Sequence, residues 1–110
     1  MSAVRVREYL DSKGDSPWAE WFDSLGSESA AKVALIVYRL GEGNFSNVKG
    51  VGGGVFERVL DWGPGYRIYF GKDGESIVIL LGGSSKKRQQ KAIEEAKERW
   101  ADYRRRKTKS

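Results

Sequence analysis

Phe56-Glu57-Arg58-Val59-Leu60-Asp61-Trp62-Gly63-Pro64-Gly65-Tyr66-Arg67-Ile68-Tyr69-Phe70 is the stretch on which the reading of this chain turns. Two strand-like runs flank a Gly-Pro-Gly turn, and successive side chains of a strand point to opposite faces. Closing the hairpin about Pro64 predicts the pairs 62–66, 61–67, 60–68, 59–69 and 58–70. One face then carries Phe56, Leu60, Trp62, Tyr66, Ile68 and Phe70, with Arg58 as its only charge. The other carries Glu57, Val59, Asp61, Arg67 and Tyr69, an acid, base and phenol face expected to be wet. A small phosphate-handling site fits such a face, and so does an ordinary half-exposed sheet.

Downstream, Asp73-Gly74 signals a tight hairpin turn, and Ser76 to Leu81 reads as the next strand. Pairing across that turn is expected to set Ile77, Ile79 and Leu81 on the core face, with Val78 and Leu80 beside Arg67 and Tyr69. After Gly82-Gly83-Ser84-Ser85, a last helix is expected from about Lys86, with Ile93, Ala96, Trp100 and Tyr103 as a narrow apolar seam. Upstream, Gly41 to Gly54 is turn-rich. Its Gly52-Gly53-Gly54 lacks the Gly-Lys-Ser/Thr and the strand-to-helix setting of a nucleotide loop. A helix over about Ser27 to Leu40 places Ala30, Val33, Ala34, Val37 and Leu40 on one face. Before it, Ser16-Pro17 is a hydroxyl cap with proline at the first helical position. Trp18, Trp21, Phe22 and Leu25 follow at helical spacing until Gly26. Val4 to Tyr9 alternates as a first strand. The order is β-α-α-β-β-β-α, a single α+β domain over residues 1–110.

Composition narrows the chemistry. The chain has 110 residues, enough for one modest core. Cysteine and histidine are both absent, which excludes disulfides and thiolate metal sites and leaves acid–base work to Lys, Arg, Asp, Glu or Tyr. No apolar run approaches the roughly 20 residues of a membrane span, so a cytoplasmic protein without membrane partners is expected. Residues 86–110 hold 11 basic and 4 acidic side chains, whereas residues 1–85 hold 9 and 11. The positive excess therefore lies at the C-terminus, with a basic tail at about 104–110. It favours an anionic partner, nucleic acid or an acidic protein surface, and is also what a solvated helix with a frayed tail looks like.

The element order, together with Gly63-Pro64-Gly65-Tyr66-Arg67-Ile68-Tyr69-Phe70, Ile79-Leu80-Leu81-Gly82-Gly83, Lys86-Lys87-Arg88-Gln89-Gln90-Lys91 and Trp100-Ala101-Asp102-Tyr103, resembles the RelE/ParE superfamily of toxins from bacterial toxin–antitoxin pairs. The HigB-like addiction module killer subgroup is the nearer likeness. The resemblance implies an antiparallel sheet with two N-terminal helices on one face and a C-terminal helix. It also implies a type II toxin that cuts mRNA on the ribosome as an endoribonuclease (an mRNA interferase). The expected partners are mRNA, the ribosome and a cognate antitoxin, a HigA-like helix-turn-helix protein. No cofactor or metal is implied. Relatives usually carry a further basic residue two positions beyond Glu57, where this chain has Val59.

Metal-free RNA cleavage drives the 2′-OH onto its own phosphorus, in line with the departing 5′ oxygen. It needs a base, cations for the charge gathering at phosphorus, and a proton for the leaving oxygen. Arg67 suits the cation role, because a guanidinium holds two non-bridging oxygens; a cross-strand pair with Asp61 is the plainer alternative. Glu57 is placed to take the proton or to orient Arg67. Lys86, set against the dipole of the helix it opens, is a candidate catalytic contact to phosphate, and Lys87 or Arg88 a candidate donor of the leaving-group proton. Tyr69, Arg88 and Arg58 are candidate substrate-binding residues, Tyr69 by stacking on a base or bonding a phosphate, with packing against Val78 and the last helix as its equal alternative. A ParE-type gyrase poison and a non-catalytic nucleic-acid-binding domain are the rival readings.

Overall fold

The computed structural model describes residues 4–109. Its elements are β1 (Arg5–Glu8), α1 (Pro17–Asp23), α2 (Ser27–Gly41), β2 (Val48–Gly52), β3 (Val55–Leu60), β4 (Tyr66–Asp73), β5 (Ile77–Ser84), a single 3-10 turn (Lys86–Arg88) and α3 (Gln89–Lys109). The mixed α+β architecture expected from the sequence is present. Local chemistry sets the first helix: Ser16 Oγ accepts the Ala19 N–H at 3.0 Å, with Pro17 inside the first turn. In α2 the buried side chains are Val33, Ile36 and Leu40. Ala34, expected inside, is exposed, and so are Leu35 and Tyr38. The helix is rotated so that Val33, Ile36 and Leu40 face the core beneath the sheet.

One sheet runs in the order β1-β5-β4-β3-β2. Strand β2 lies within the stretch expected to be only turns. Gly50 and Gly52 weaken its strand signal, and it sits at the sheet edge, held on one side by β3. Nor is the sheet wholly antiparallel, since β1 pairs in parallel with β5, Arg5 opposite Ile77. Two helices intervene between β1 and the rest of the sheet, a connection long enough for parallel pairing.

Register separates the hairpin reading that survives from the one that fails. In β3–β4, Leu60 faces Tyr66 and Phe56 faces Phe70, so the loop is Asp61–Gly65 and each partner is displaced by two from the expected pairing. A two-residue slip leaves every side chain on its own face, so the predicted sorting holds: Phe56, Leu60, Tyr66, Ile68 and Phe70 share one cluster. In β4–β5, Asp73 pairs with Ile77 across a three-residue loop. This odd change relative to a two-residue turn reverses the faces. Val78 and Leu80 join Ile68 and Phe70 beneath α1 and α2, while Ile79 and Leu81 join Tyr69. The expected grouping of Val78 and Leu80 with Arg67 and Tyr69 is thereby corrected.

The second face is not wet. Helix α3 lies across it, burying Ala92, Ala96 and Trp100 against Val55, Tyr69, Ile79 and Leu81. Small residues let the helix come close, and glycines opposite its ring complete the fit. An added Cβ at Gly71 would stand 2.4 Å from the Trp100 ring, and one at Gly83 2.4 Å from the Trp21 ring on the other face. The basic segment 104–109 continues α3 as helix rather than forming a frayed tail. Two tyrosine–aspartate contacts fasten its C-terminal half: Tyr9 Oη donates to Asp102 at 2.6 Å, and Tyr103 Oη to Asp73 at 2.6 Å. Arg106 also bonds Asp102, and Lys107 bonds Asp73.

Both carboxyls are held below their ordinary value of 3.8, Asp102 chiefly by the Tyr9 hydroxyl and Asp73 chiefly by Lys107. A depressed folded value means that these contacts stabilise fully above about pH 4. The contribution is lost as pH falls through the lower folded values. In urea titrations, wild-type protein is expected to lose midpoint faster below pH 4 than the Asp73→Asn/Asp102→Asn variant. Parallel pH profiles would refute the fastening role.

Candidate functional site

At the end of the sheet where the β3–β4 loop meets the 3-10 turn, polar side chains collect beneath the start of α3. Strand alternation sends Glu57, Arg67 and Tyr69 to the same side, as expected from sequence. All three are buried, however: Glu57 and Tyr69 are 0% exposed and Arg67 is 8%. Burial excludes Tyr69 as an exposed stacking surface in this arrangement. Its hydroxyl lies 3.3 Å from Ser84 Oγ, and its pKa is pushed up to about 12, first by burial, with Glu57 raising it further and Ser84 and Arg67 opposing. Tyr69 is therefore a neutral phenol throughout the physiological range.

Glu57 is unevenly partnered. Gln89 Nε2 donates to Oε2 at 2.9 Å. Oε1 has no hydrogen bond and lies 3.6 Å from Lys49 Nζ, whose side chain is 65% exposed. Arg67 donates through Nη1 to the Gly65 carbonyl, while its Nε has no partner. Glu57 Oε1 and Arg67 Nε are the two buried side-chain atoms left unsatisfied among the described residues. Each such atom costs about 1–3 kcal/mol when nothing compensates it. An acceptor and a donor without hydrogen bonds thus lie in one cluster, the acceptor facing the Lys49 ammonium.

Exposed cations border the cluster. Lys86, Lys87 and Arg88 form the 3-10 turn, so Lys86 opens that turn rather than α3 itself. The Lys86 N–H reaches the Pro64 carbonyl at 3.3 Å, and a Cβ at Gly65 would lie 2.9 Å from Arg67 Nη1 and 3.5 Å from Lys86 Cβ. Arg67 and the start of the basic segment thus adjoin on one side of the sheet. Arg58 does not join them. It projects to the opposite face, where burial first, and then Arg39, lower its pKa; its guanidinium bonds the Val59 carbonyl. Sequence reasoning missed Lys49, Ser84 and Gln89. Reading β2 as a strand exposes the first, because Lys49 pairs directly with Glu57 and supplies a cation on the face where Val59 does not.

The arrangement combines a half-satisfied carboxylate, a half-satisfied guanidinium, a neutral phenol and four exposed cations, Lys49, Lys86, Lys87 and Arg88. These are group types that a phosphodiester site uses, with Glu57 and Arg67 buried in this arrangement. No family model matches the chain. A Haemophilus influenzae protein described as an uncharacterized protein is 41% identical over 78 residues, covering 70% of this chain and 79% of its own. Among solved structures, a double arginine-to-alanine mutant of the E. coli toxin RelE in the free state superposes with a TM-score of 0.65. It has 17% identity and covers 89% of this chain and 98% of that one. The fold is thus of the RelE kind.

Proposed function

This chain belongs to the family of the Haemophilus influenzae protein, and from its RelE-like fold we propose that it is the toxin of a type II toxin–antitoxin system. It acts as a metal-independent endoribonuclease on mRNA at the ribosome, within the HigB-like subgroup, and is neutralised in the cytoplasm by a HigA-like antitoxin. No described helix is long and apolar enough to cross a membrane. The observation carrying the proposal is the pair of atoms without hydrogen bonds, Glu57 Oε1 and Arg67 Nε, beside exposed Lys49, Lys86, Lys87 and Arg88.

In this reading Glu57 takes the proton of the 2′-OH as the 2′ oxygen bonds to phosphorus. Arg67 holds the non-bridging oxygens, and Lys86 or Lys87 protonates the 5′ oxygen as the P–O5′ bond breaks. The products are a 2′,3′-cyclic phosphate and a 5′-OH end. Because Glu57 and Arg67 are buried, the 3-10 turn and Gln89 must shift for the phosphate to reach them. Brief induction is expected to arrest growth and to leave 5′-OH ends within translated regions when RNA ends are sequenced. Arrest with intact transcripts and broken chromosomes would favour the gyrase-poison reading instead. That second reading draws support from α2, whose Leu35 and Tyr38 are 48% and 62% exposed and offer a surface for protein contact.

A further inference from the structure

Between α1 and the first turns of α3 runs a groove of about 400 Å³, outside the buried cluster. It falls within the range of small-ligand pockets, roughly 300–1,000 Å³. One wall is aromatic and fixed. Trp21 lies against the Gly83 backbone, where a Cβ would approach its ring to 2.4 Å. Tyr66 meets Trp21 edge-on at 5.9 Å and is anchored by its hydroxyl to Ser29 at 3.0 Å. The other wall is the end of the 3-10 turn and the first turns of α3, where Arg88, Lys91 and Glu95 line the groove. The floor includes Ser84, whose hydroxyl contacts the Tyr69 phenol from the other side.

Three cations in the C-terminal half of α3 are tied to carboxylates, and the two in this groove are not. Arg105 and Arg106 pair with Asp102, and Lys107 with Asp73, whereas neither Arg88 nor Lys91 forms an ion pair among the described residues. Arg88 and Glu95 stand seven residues apart, about 10 Å along the helix axis, a distance one nucleotide spans from phosphate to base edge. We propose that this groove holds one nucleotide of the RNA strand, its phosphate on Arg88 and Lys91 and its base against the Trp21–Tyr66 wall. Glu95 then faces the base edge and favours guanine, whose adjacent N1–H and N2–H groups both donate to one carboxylate, over uracil, whose single N3–H lies between two carbonyls. Ser84 joins the groove to the reactive cluster, so the bound nucleotide neighbours the one being cut. The site rests on the ribonuclease reading for its meaning and deepens it.

The test measures anisotropy of a labelled six-nucleotide single-stranded RNA at several salt concentrations. Arg88→Ala/Lys91→Ala is expected to weaken binding at least about tenfold and to lower the salt slope by about 1.4, two contacts at 0.7 each. Ser24→Trp, which fills the groove mouth from an exposed position without altering charge, is expected to weaken binding comparably with an unchanged circular dichroism spectrum. Arg104→Ala/Lys109→Ala removes equal charge at the far end of α3 and is expected to change affinity less than about twofold. Equal losses in both double variants, or none in the groove variants, would overturn the site. RNA bound in the groove by a wild-type protein that leaves transcripts uncut would instead sink the nuclease reading while the groove stood.

Discussion

Arg67→Lys is expected to cut transcript cleavage on induction by about 10²–10³-fold while the protein stays folded. Removal of one preorganised donor at a developing charge typically costs that much. Lysine keeps the charge but loses the planar fork that holds two phosphate oxygens at once. Arg67→Ala should be as inactive, yet it is the poorer probe. Arg67 is 8% exposed, so its truncation leaves a void beside Tyr69 and Glu57 and confuses stability with chemistry. Urea midpoints within about 1 kcal/mol of wild type, together with mapped RNA 5′ ends, separate the two effects. Full cleavage by folded Arg67→Lys would remove the guanidinium from the mechanism. A parallel loss of cleavage and midpoint would make it structural.

Gly71→Ala is expected to destabilise the fold by about 3 kcal/mol, at the upper end of ordinary overpacking, lowering Tm by more than about 10 °C. The added methyl would meet the Trp100 ring at 2.4 Å. That ring is stacked on Tyr103 at 5.2 Å and cannot simply slide aside. Trp100→Ala alone should cost about 3–5 kcal/mol through the cavity it leaves. Adding Gly71→Ala to Trp100→Ala should then cost nothing, since the clash has gone and alanine restricts the unfolded chain more than glycine does. The resulting coupling of about 2–3 kcal/mol is large for a neighbouring pair. Additive losses would show that α3 does not press its indole onto the sheet at Gly71.

What could be read in advance divides along the range of the interactions involved. Ser16-Pro17, the helical spacing of Trp18, Trp21 and Phe22, and the alternation of Phe56 to Phe70 are local, and each produced the element expected of it. The β3–β4 faces were legible despite an imperfect register because a slip of two residues changes no side chain's face. The β4–β5 faces were not. One extra loop residue after Asp73 exchanges Val78 and Leu80 for Ile79 and Leu81, and β-branched or aliphatic residues at every position gave no polar contrast by which to choose. Strand β2 escaped notice because its glycines read as turns, and with it went Lys49, the partner of Glu57.

The amino-acid sequence by itself determined the elements other than β2, the grouping of Glu57, Arg67 and Tyr69 on one face, and the nearness of that face to Lys86. Those follow from backbone periodicity and from short chain separation. Only the tertiary structure decided that the face is roofed by α3. Whether a polar face stays in water depends on what a helix some twenty or more residues away finds to rest on, here Gly71 and a row of aliphatic side chains. The same packing turned an expected open surface into a buried cluster with two unsatisfied atoms, and left the groove between α1 and α3 open beside it.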